Sequence, residues 1–268
     1  IKSVDLPQCT TIGLSAFSGC SSLQSVNLPV CISIDDGGYY QNGAFQNCTN
    51  LTDLKLPQCT TIGDYAFNGC SSLQSVDLPV CTTIGSYAFD GCSSLQSVEL
   101  PKVEGVGNNA FWKSGITKIS LSETLKNMGY QCFDKVAEYT FNGTQPAALY
   151  EYESYHAFDG VPFVIRVPES AVDAYKTADV WKNYADKIFS IGDQLDYDVT
   201  TTAMDNQSGL EQAIGATNMK KVFSLKATGT INSYDIFMIR TKMTNLRYLD
   251  LTDADIVANG FAYYENNS

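Results

Sequence analysis

One stretch of twenty residues decides the fold of this chain: residues 73–92, LQSVDLPVCTTIGSYAFDGC. At its start, Val76 and Leu78 alternate with polar neighbours, which predicts a short strand with one buried face. The proline that follows ends the strand, because it cannot donate a hydrogen bond to a sheet. Further along, Ile84 and Phe89 bring apolar side chains back to the interior around a turn.

The same pattern recurs along the first half of the chain. The Leu-Pro pair begins at residues 6, 28, 56, 78 and 100, and the Ala-Phe pair begins at residues 16, 44, 66, 88 and 110. Successive Leu-Pro pairs are therefore 22, 28, 22 and 22 residues apart, the longest unit carrying a six-residue insertion within residues 35–42. A sixth, weaker copy follows at residues 121–133. One such unit cannot bury its own apolar face, so we predict stacked copies with a parallel sheet.

These units resemble the BspA-like, treponemal-type class of leucine-rich repeats. The matching segments are Leu-x-x-Val-x-Leu-Pro and Ile-Gly-x-x-Ala-Phe-x-x-Cys, which return over residues 1–136. The period is one residue shorter than is common in the family. The resemblance implies an α/β repeat solenoid, a right-handed coil with a parallel sheet on one face. It also implies an extracellular or cell-surface location on anaerobic bacteria.

The pattern predicts three segments. Residues 1–143 form the leucine-rich-repeat array, with about six copies of 22 residues and one insertion. Residues 144–192 form a strand-helix module that caps the array, with a helix over residues 171–186. Residues 193–268 start a second, helix-containing leucine-rich-repeat segment, after a polar linker at residues 192–205. The first residues already follow the repeat and contain no signal peptide, so we expect a piece of a longer protein.

Eight of the nine cysteines fall into two columns of the repeat, one after the Leu-Pro pair and one at the end of the Ala-Phe turn. In later copies the first column becomes Val103 and then Leu125, and the second becomes Ser114 and then Val136. Positions that accept valine and leucine need volume rather than a thiolate, so we predict buried free thiols. A disulfide framework is the alternative. The sequence has no closely paired Cys-x-x-Cys ligands, so we predict no metal site and no cofactor.

Charge and motifs exclude several functions. The chain has 17 Lys and Arg against 29 Asp and Glu, a formal net charge of −12, which repels nucleic-acid phosphates and anionic lipid. It has no apolar run long enough to span a membrane. We therefore predict no nucleic-acid partner and no membrane insertion. The single histidine, His156, has no catalytic motif around it, so we predict no catalytic residues and no enzyme activity.

Binding is the function that the sequence favours. The family resemblance implies adhesion, with a host matrix or cell-surface protein, or a glycan, as partner. The candidate ligand-binding residues are outward strand positions and two aromatic residues of the insertion: Tyr39, Tyr40, Asp53, Lys55, Asp77 and Glu99. Tyr65 and Tyr87 are expected to be partly exposed. A structural spacer without its own ligand is one alternative, and a glycan-active enzyme is another. The pattern makes no prediction of the oligomeric state.

Overall fold

The computed structural model describes residues 1–35, 42–158, 161–202 and 207–257. The chain divides into two compact units, the first spanning Ile1–Ile191 and the second beginning at Gly192. Short strands dominate the first unit, and the second unit alternates longer strands with helices.

Each coil of the first unit contains two short strands. In chain order they are β1 (Ser3–Asp5), β2 (Thr11–Ile12), β3 (Ser25–Asn27), β4 (Ser33–Ile34), β5 (Asp53–Lys55), β6 (Thr61–Ile62), β7 (Ser75–Asp77), β8 (Thr83–Ile84), β9 (Ser97–Glu99), β10 (Gly105–Val106), β11 (Lys118–Leu121), β12 (Asn127–Met128), β13 (Glu138–Phe141) and β14 (Ala148–Leu149). We call the odd-numbered strands of this series the front column and the even-numbered strands the rear column.

The front column forms as the alternating pattern predicts. In β7, Val76 is buried between two exposed neighbours, and it lies in parallel register with Val98 of β9. The column is divided into hydrogen-bonded groups, since the ladder is interrupted between β5 and β7 and between β9 and β11. The predicted parallel sheet is confirmed.

The rear column is a second parallel sheet, which the sequence analysis assigned to a turn. Its seven two-residue strands pair in the order β14-β12-β10-β8-β6-β4-β2 without interruption. In β6 and β8 the isoleucines are buried and in register, Ile62 opposite Ile84. The Thr-Thr-Ile segment therefore forms a strand, in which the isoleucine is buried and the threonine before it is at least partly exposed.

A continuous stack of phenylalanine rings runs through the core of the first unit. Neighbouring ring centroids are 5.1 to 5.3 Å apart and their planes lie within 10° of parallel. The stack consists of Phe17, Phe45, Phe67, Phe89, Phe111 and Phe133. All but the first ring are fully buried, because Phe17 lies in the end coil and has a neighbouring ring on one side only.

The cysteines contribute volume to the same core. All nine are free, and seven are buried, which confirms the prediction of buried thiols for those seven. Cys9 and Cys20 are partly exposed because they lie in the first coil. Cys92 donates a hydrogen bond from Sγ to the Phe67 carbonyl at 3.3 Å, and burial raises its pKa to about 12. Val103 and Ser114, which replace cysteine in a later copy, are buried in the same way.

The capping region adds β15 (Val164–Val167) and β16 (Ile188–Ser190) in parallel to β13. The predicted helix over residues 171–186 is wrong as a single helix. It consists of a 3-10 turn (Glu169–Ala171), α1 (Val172–Thr177) and a second 3-10 segment (Trp181–Lys187). The helical path ends before Val180, whose φ of 63° is in the left-handed region that a β-branched residue rarely adopts. Trp181 then enters the core, 1% exposed, and donates from Nε1 to the Ala147 carbonyl at 2.7 Å.

The second unit repeats the strand-helix pattern with longer elements. It contains β17 (Asp196–Thr201), α2 (Gly209–Ile214), a 3-10 turn (Met219–Lys221), β18 (Ser224–Ile231), α3 (Ser233–Lys242), β19 (Tyr248–Asp250) and β20 (Ala254–Ile256). β18 pairs in parallel with β17, β19 and β20. The predicted linker at residues 192–205 is wrong, because β17 lies within it and pairs with β18 over six residues.

Asp235 fixes the two main helices of the second unit. Its Oδ1 accepts hydrogen bonds from Ser208 Oγ at 2.7 Å and from the Leu210 amide at 2.8 Å, at the start of α2. Its Oδ2 accepts from the Asn232 amide at 2.9 Å, while Asn232 caps α3.

No helix in the described part of the chain is long and apolar enough to cross a membrane.

Candidate functional site

The outward face of the front column holds four of the predicted binding residues. Asp53 and Lys55 flank buried Leu54, and their side chains approach to 3.8 Å while both stay more than half exposed. Asp77 and Glu99 lie opposite each other in register on β7 and β9 and are exposed. These side chains are exposed and carry charges of both signs, and none of the four lines the groove described below.

The two aromatic residues predicted in the insertion, Tyr39 and Tyr40, lie outside the described residues. Asp35, at the end of β4 and directly before that segment, is exposed.

A row of tyrosine rings follows one flank of the first unit. Tyr65 and Tyr87 stack with their centroids 4.9 Å apart and their planes 4° from parallel, and both are partly exposed, as predicted. Further along, Tyr130 packs against Tyr155 at 5.5 Å. Burial, and then the neighbouring phenol of Tyr130, raise the pKa of Tyr87 to about 12. Tyr87 therefore presents a neutral phenol to this row at ordinary pH.

A tight turn at residues 152–155 adds exposed rings to this flank. The Tyr152 amide donates to the Tyr155 carbonyl at 3.0 Å, and the Tyr155 amide donates back to the Tyr152 carbonyl at 2.8 Å. This closes the turn around Glu153, whose φ is 52°. The rings of Tyr150, Tyr152 and Tyr155 stay 57%, 60% and 44% exposed. We call Tyr65, Tyr87, Tyr130, Tyr150, Tyr152 and Tyr155 together the tyrosine flank.

Tyr150, Tyr152 and Tyr155 were not among the predicted binding residues. The signal that the sequence offers for them is the density of tyrosine before His156, at a point where the repeat pattern fades. Exposed aromatic rings are more informative than exposed charges, because aromatic residues dominate binding energy at interfaces.

His156 and Glu151 lie beside the tyrosine flank, and their contacts connect the capping region to the repeat array. Glu151 Oε1 accepts a hydrogen bond from the Tyr184 hydroxyl at 2.5 Å and lies 3.6 Å from His156 Nδ1. The His156 carbonyl accepts from the Gln131 amide at 2.8 Å, which continues the ladder between coils. Both residues therefore attach the capping region to the preceding coil. Among the described residues, no group of three or more His, Cys, Asp and Glu is arranged to hold a metal ion.

A groove of about 280 Å³ crosses the rear column next to the tyrosine flank. Its floor is formed largely by β8, β10 and the glycines that follow or begin these strands, and Tyr150 lies at one side. Polar side chains complete the lining: Asp64, Thr83, Ser86, Asn108 and Asn127. Ser86 and Gly129 line the groove and are followed directly by Tyr87 and Tyr130, so the groove and the tyrosine flank are adjoining parts of one surface. We call this groove the glycine groove.

Glycine is required on this floor because neighbouring coils approach it closely. A Cβ on Gly107 would lie 2.5 Å from the Ser86 amide nitrogen, and one on Gly85 would lie 2.5 Å from Asp64 Oδ1. Asp64 Oδ1 in turn accepts a hydrogen bond from the Ser86 amide at 2.6 Å. The groove is thus built from backbone and short polar side chains held by the ladder itself.

The comparisons with known proteins concern the repeat. The family profile described as BspA type leucine-rich repeat region matches six copies, over residues 1–80 and 38–140. No curated protein matches the chain at a significant level. A solved leucine-rich cell surface protein from Faecalibacterium prausnitzii is 20% identical, with 93% of this chain and 79% of that chain covered and a TM-score of 0.49. A solved leucine-rich repeat protein from Bacteroides ovatus is 17% identical, with 96% and 69% covered and a TM-score of 0.44.

Proposed function

The chain belongs to the BspA-type leucine-rich repeat family, and on this premise we propose that it is a non-enzymatic binding domain of an exported bacterial surface protein. Its partner in this proposal is a protein or glycan on a host matrix or on another cell. The observation that carries the proposal is the tyrosine flank, in which Tyr150, Tyr152 and Tyr155 are 57%, 60% and 44% exposed.

Tyrosine suits such a surface for two physical reasons. Its ring buries a large apolar area, and its hydroxyl still hydrogen-bonds when the ring is covered. Hydrogen bonds fix the backbone of the turn at residues 152–155, and stacking on Tyr130 holds the ring of Tyr155 before a partner arrives. Less conformational entropy is then lost on binding, which favours affinity.

The front column supports a second function, that of a spacer. Its outward positions are divided between short uncharged polar residues, such as Ser75 and Ser97, and charged residues of both signs. Such a face is well solvated and offers few anchors. In the binding hypothesis Asp53, Lys55, Asp77 and Glu99 act there as a separate contact surface, and Tyr39 and Tyr40 act as further contacts from the insertion.

The experiment that tests binding compares matched variants on the same immobilised partners. The purified chain is applied to matrix proteins and to glycans, and bound protein is measured by surface plasmon resonance. We expect a Tyr150→Ala/Tyr152→Ala variant to bind at least about tenfold more weakly, because interface hot spots contribute roughly 2 kcal/mol or more each. Tyr248→Ala is the control, since Tyr248 is 54% exposed but lies in the second unit.

Two further variants locate the contact. A variant with Asp53, Lys55, Asp77 and Glu99 replaced by alanine tests the front column, and Tyr39→Ala/Tyr40→Ala tests the insertion. Binding that is lost only in one of these would move the site away from the tyrosine flank. A wild-type chain that binds no partner on the array would favour the spacer. Antibody labelling of intact producing cells tests the surface location.

A further inference from the structure

We propose that the glycine groove binds a neutral oligosaccharide, with Tyr150 as the ring on which a sugar stacks and Asn108 and Asn127 as hydrogen-bonding partners of its hydroxyls. The inference rests on the proposed binding function and narrows it to one ligand class at one site.

The lining of the groove matches the surface of a sugar. A pyranose ring has faces made of C–H groups and an edge of hydroxyls. Tyr150 is 57% exposed and lies at the side of the groove, where its ring can cover such a face. Asn108 and Asn127 provide planar amides, and Thr83 and Ser86 provide hydroxyls, all in the same lining. A few convergent polar groups on a largely preformed surface are what small-ligand sites use to fix orientation.

The floor of the groove is rigid because both sides of its central strand are paired. β10 pairs in parallel with β8 on one side and with β12 on the other. Asn108 Oδ1 accepts a hydrogen bond from the Tyr130 amide at 3.2 Å, which fixes that side chain across two coils. The amide that would meet the ligand is therefore positioned by the ladder before the ligand binds, which reduces the entropy lost on binding.

The same pairing argues against an extended peptide as the occupant. A peptide that adds a strand needs an unpaired sheet edge, and the floor strands β8, β10 and β12 are each paired on both sides. A sugar requires no such edge, because it binds through ring faces and hydroxyls.

The negative charge of the chain and of the groove lining favours a neutral sugar over an acidic one. The chain carries a formal net charge of −12, and Asp64 is part of the lining. Glu104, in the coil that forms the floor, is bound to Lys126 at 2.7 Å, so this lysine's charge is already paired. Sulfated or carboxylated sugars would be repelled by this surface.

The length of the site favours a short chain of sugars over a single one. The lining extends from Asp64, in the coil of β6, to Tyr150, at the end of β14. Four steps separate these coils, and at about 4.8 Å per step the lining extends roughly 19 Å.

The test measures binding of defined oligosaccharides to the full chain by titration calorimetry and saturation-transfer NMR. The probes are linear neutral hexasaccharides of glucose, mannose, galactose and N-acetylglucosamine, with the hyaluronan hexasaccharide as the acidic probe. We expect at least one neutral hexasaccharide to bind and hyaluronan to bind more weakly. Tyr150→Ala and Asn127→Ala should each reduce affinity about tenfold, and Tyr150→Phe should keep most of it. Tyr248→Ala is the control, and circular dichroism verifies that each variant is folded.

Several results would overturn the inference: no neutral hexasaccharide binds, hyaluronan binds more tightly, or Tyr150→Ala and Asn127→Ala both bind as wild type. The proposed function fails separately. If an enzymatically deglycosylated matrix protein binds through Tyr150 and Tyr152 while no oligosaccharide does, the sugar site is refuted and the binding domain stands. If neither matrix proteins nor oligosaccharides bind, both proposals are refuted.

Discussion

Replacing Phe89 by leucine tests whether the phenylalanine stack stabilises the solenoid through ring-to-ring contacts. Phe89 is fully buried, with ring neighbours at 5.3 Å and 5.1 Å. Each aromatic pair contributes about 0.5–1.5 kcal/mol beyond the burial of apolar area, so two pairs contribute about 1–3 kcal/mol. Leucine keeps most of the apolar area, and the change of shape adds roughly 1 kcal/mol. We expect Phe89→Leu to lower the free energy of unfolding by about 2–4 kcal/mol.

Phe17→Leu is the matched control, because Phe17 has one ring neighbour, at 5.1 Å, and is only partly buried. It should cost about 0.5–1.5 kcal/mol. The assay is urea unfolding followed by tryptophan fluorescence, since both tryptophans of the chain, Trp112 and Trp181, lie in the first unit.

A double-mutant cycle separates ring contacts from general packing. Phe67 and Phe89 are neighbours in the stack, so their leucine variants should couple by about 0.5–1.5 kcal/mol. Phe17 and Phe89 are three coils apart, so their effects should add within about 0.5 kcal/mol. The reasoning is refuted if Phe17→Leu costs as much as Phe89→Leu, or if the neighbouring pair shows no coupling.

Three more predictions concern other parts of the chain. Asp235→Ala should destabilise the second unit by about 3–5 kcal/mol, because the buried carboxylate accepts hydrogen bonds from three donors. Limited proteolysis of the second unit measures the loss of stability, and cleavage as slow as in the wild type would contradict the prediction. Burial raises the pKa of Tyr175 to about 12, above the roughly 10 of an unfolded tyrosine, so the folded state keeps a proton that the unfolded state loses. Stability should therefore fall from about pH 10 to pH 12, and urea unfolding of Tyr175→Phe should show a shallower fall; an equal slope would exclude Tyr175 as its source. A thiol reagent should modify Cys9 and Cys20 before the seven buried cysteines; mass spectrometry follows the order, and simultaneous modification would show that the core opens as a whole.

Most of the solenoid could be predicted from the sequence because the repeat restates each packing requirement several times. Val76 and Leu78 show the buried face of a strand, and the replacement of cysteine by Val103 shows that this position fills volume. The rear column was harder to predict because each of its strands is only two residues long. A segment such as Thr83–Ile84 is too short to show the alternation that distinguishes a strand from a turn.

The two wrong predictions in the later part of the chain, the linker at residues 192–205 and the single helix over residues 171–186, have local causes. The residues of β17, DYDVTT, alternate between inward Tyr197 and Val199 and outward aspartates, but the acidic composition suggested a linker. The helix of the cap is broken at Val180, whose φ of 63° is a value that the local preference of a β-branched residue opposes.

The groove and the most exposed part of the tyrosine flank, Tyr150, Tyr152 and Tyr155, could not be predicted for a different reason. Gly85, Gly107 and Gly129 recur with the repeat, so their pattern indicates only a turn, and the cavity depends on how closely adjacent coils approach. Tyr150 and Tyr152 follow the clear repeats, and their exposure depends on the closed turn at residues 152–155. Surface geometry of this kind arises from several coils together rather than from any one segment.

The stacking of coils also determines how the first unit responds to a pulling force. Hydrogen bonds between neighbouring coils mostly join residues about one repeat apart, such as Asn68 to Asp90, 22 residues along the chain. An end coil of such an array can therefore detach without disturbing distant coils. Each released 22-residue coil would extend the chain by up to about 75 Å. A solenoid built in this way would lengthen stepwise under a pulling force, with similar steps for the 22-residue coils and a larger step for the coil that carries the insertion, and it would dissipate mechanical work while the remaining coils stay folded.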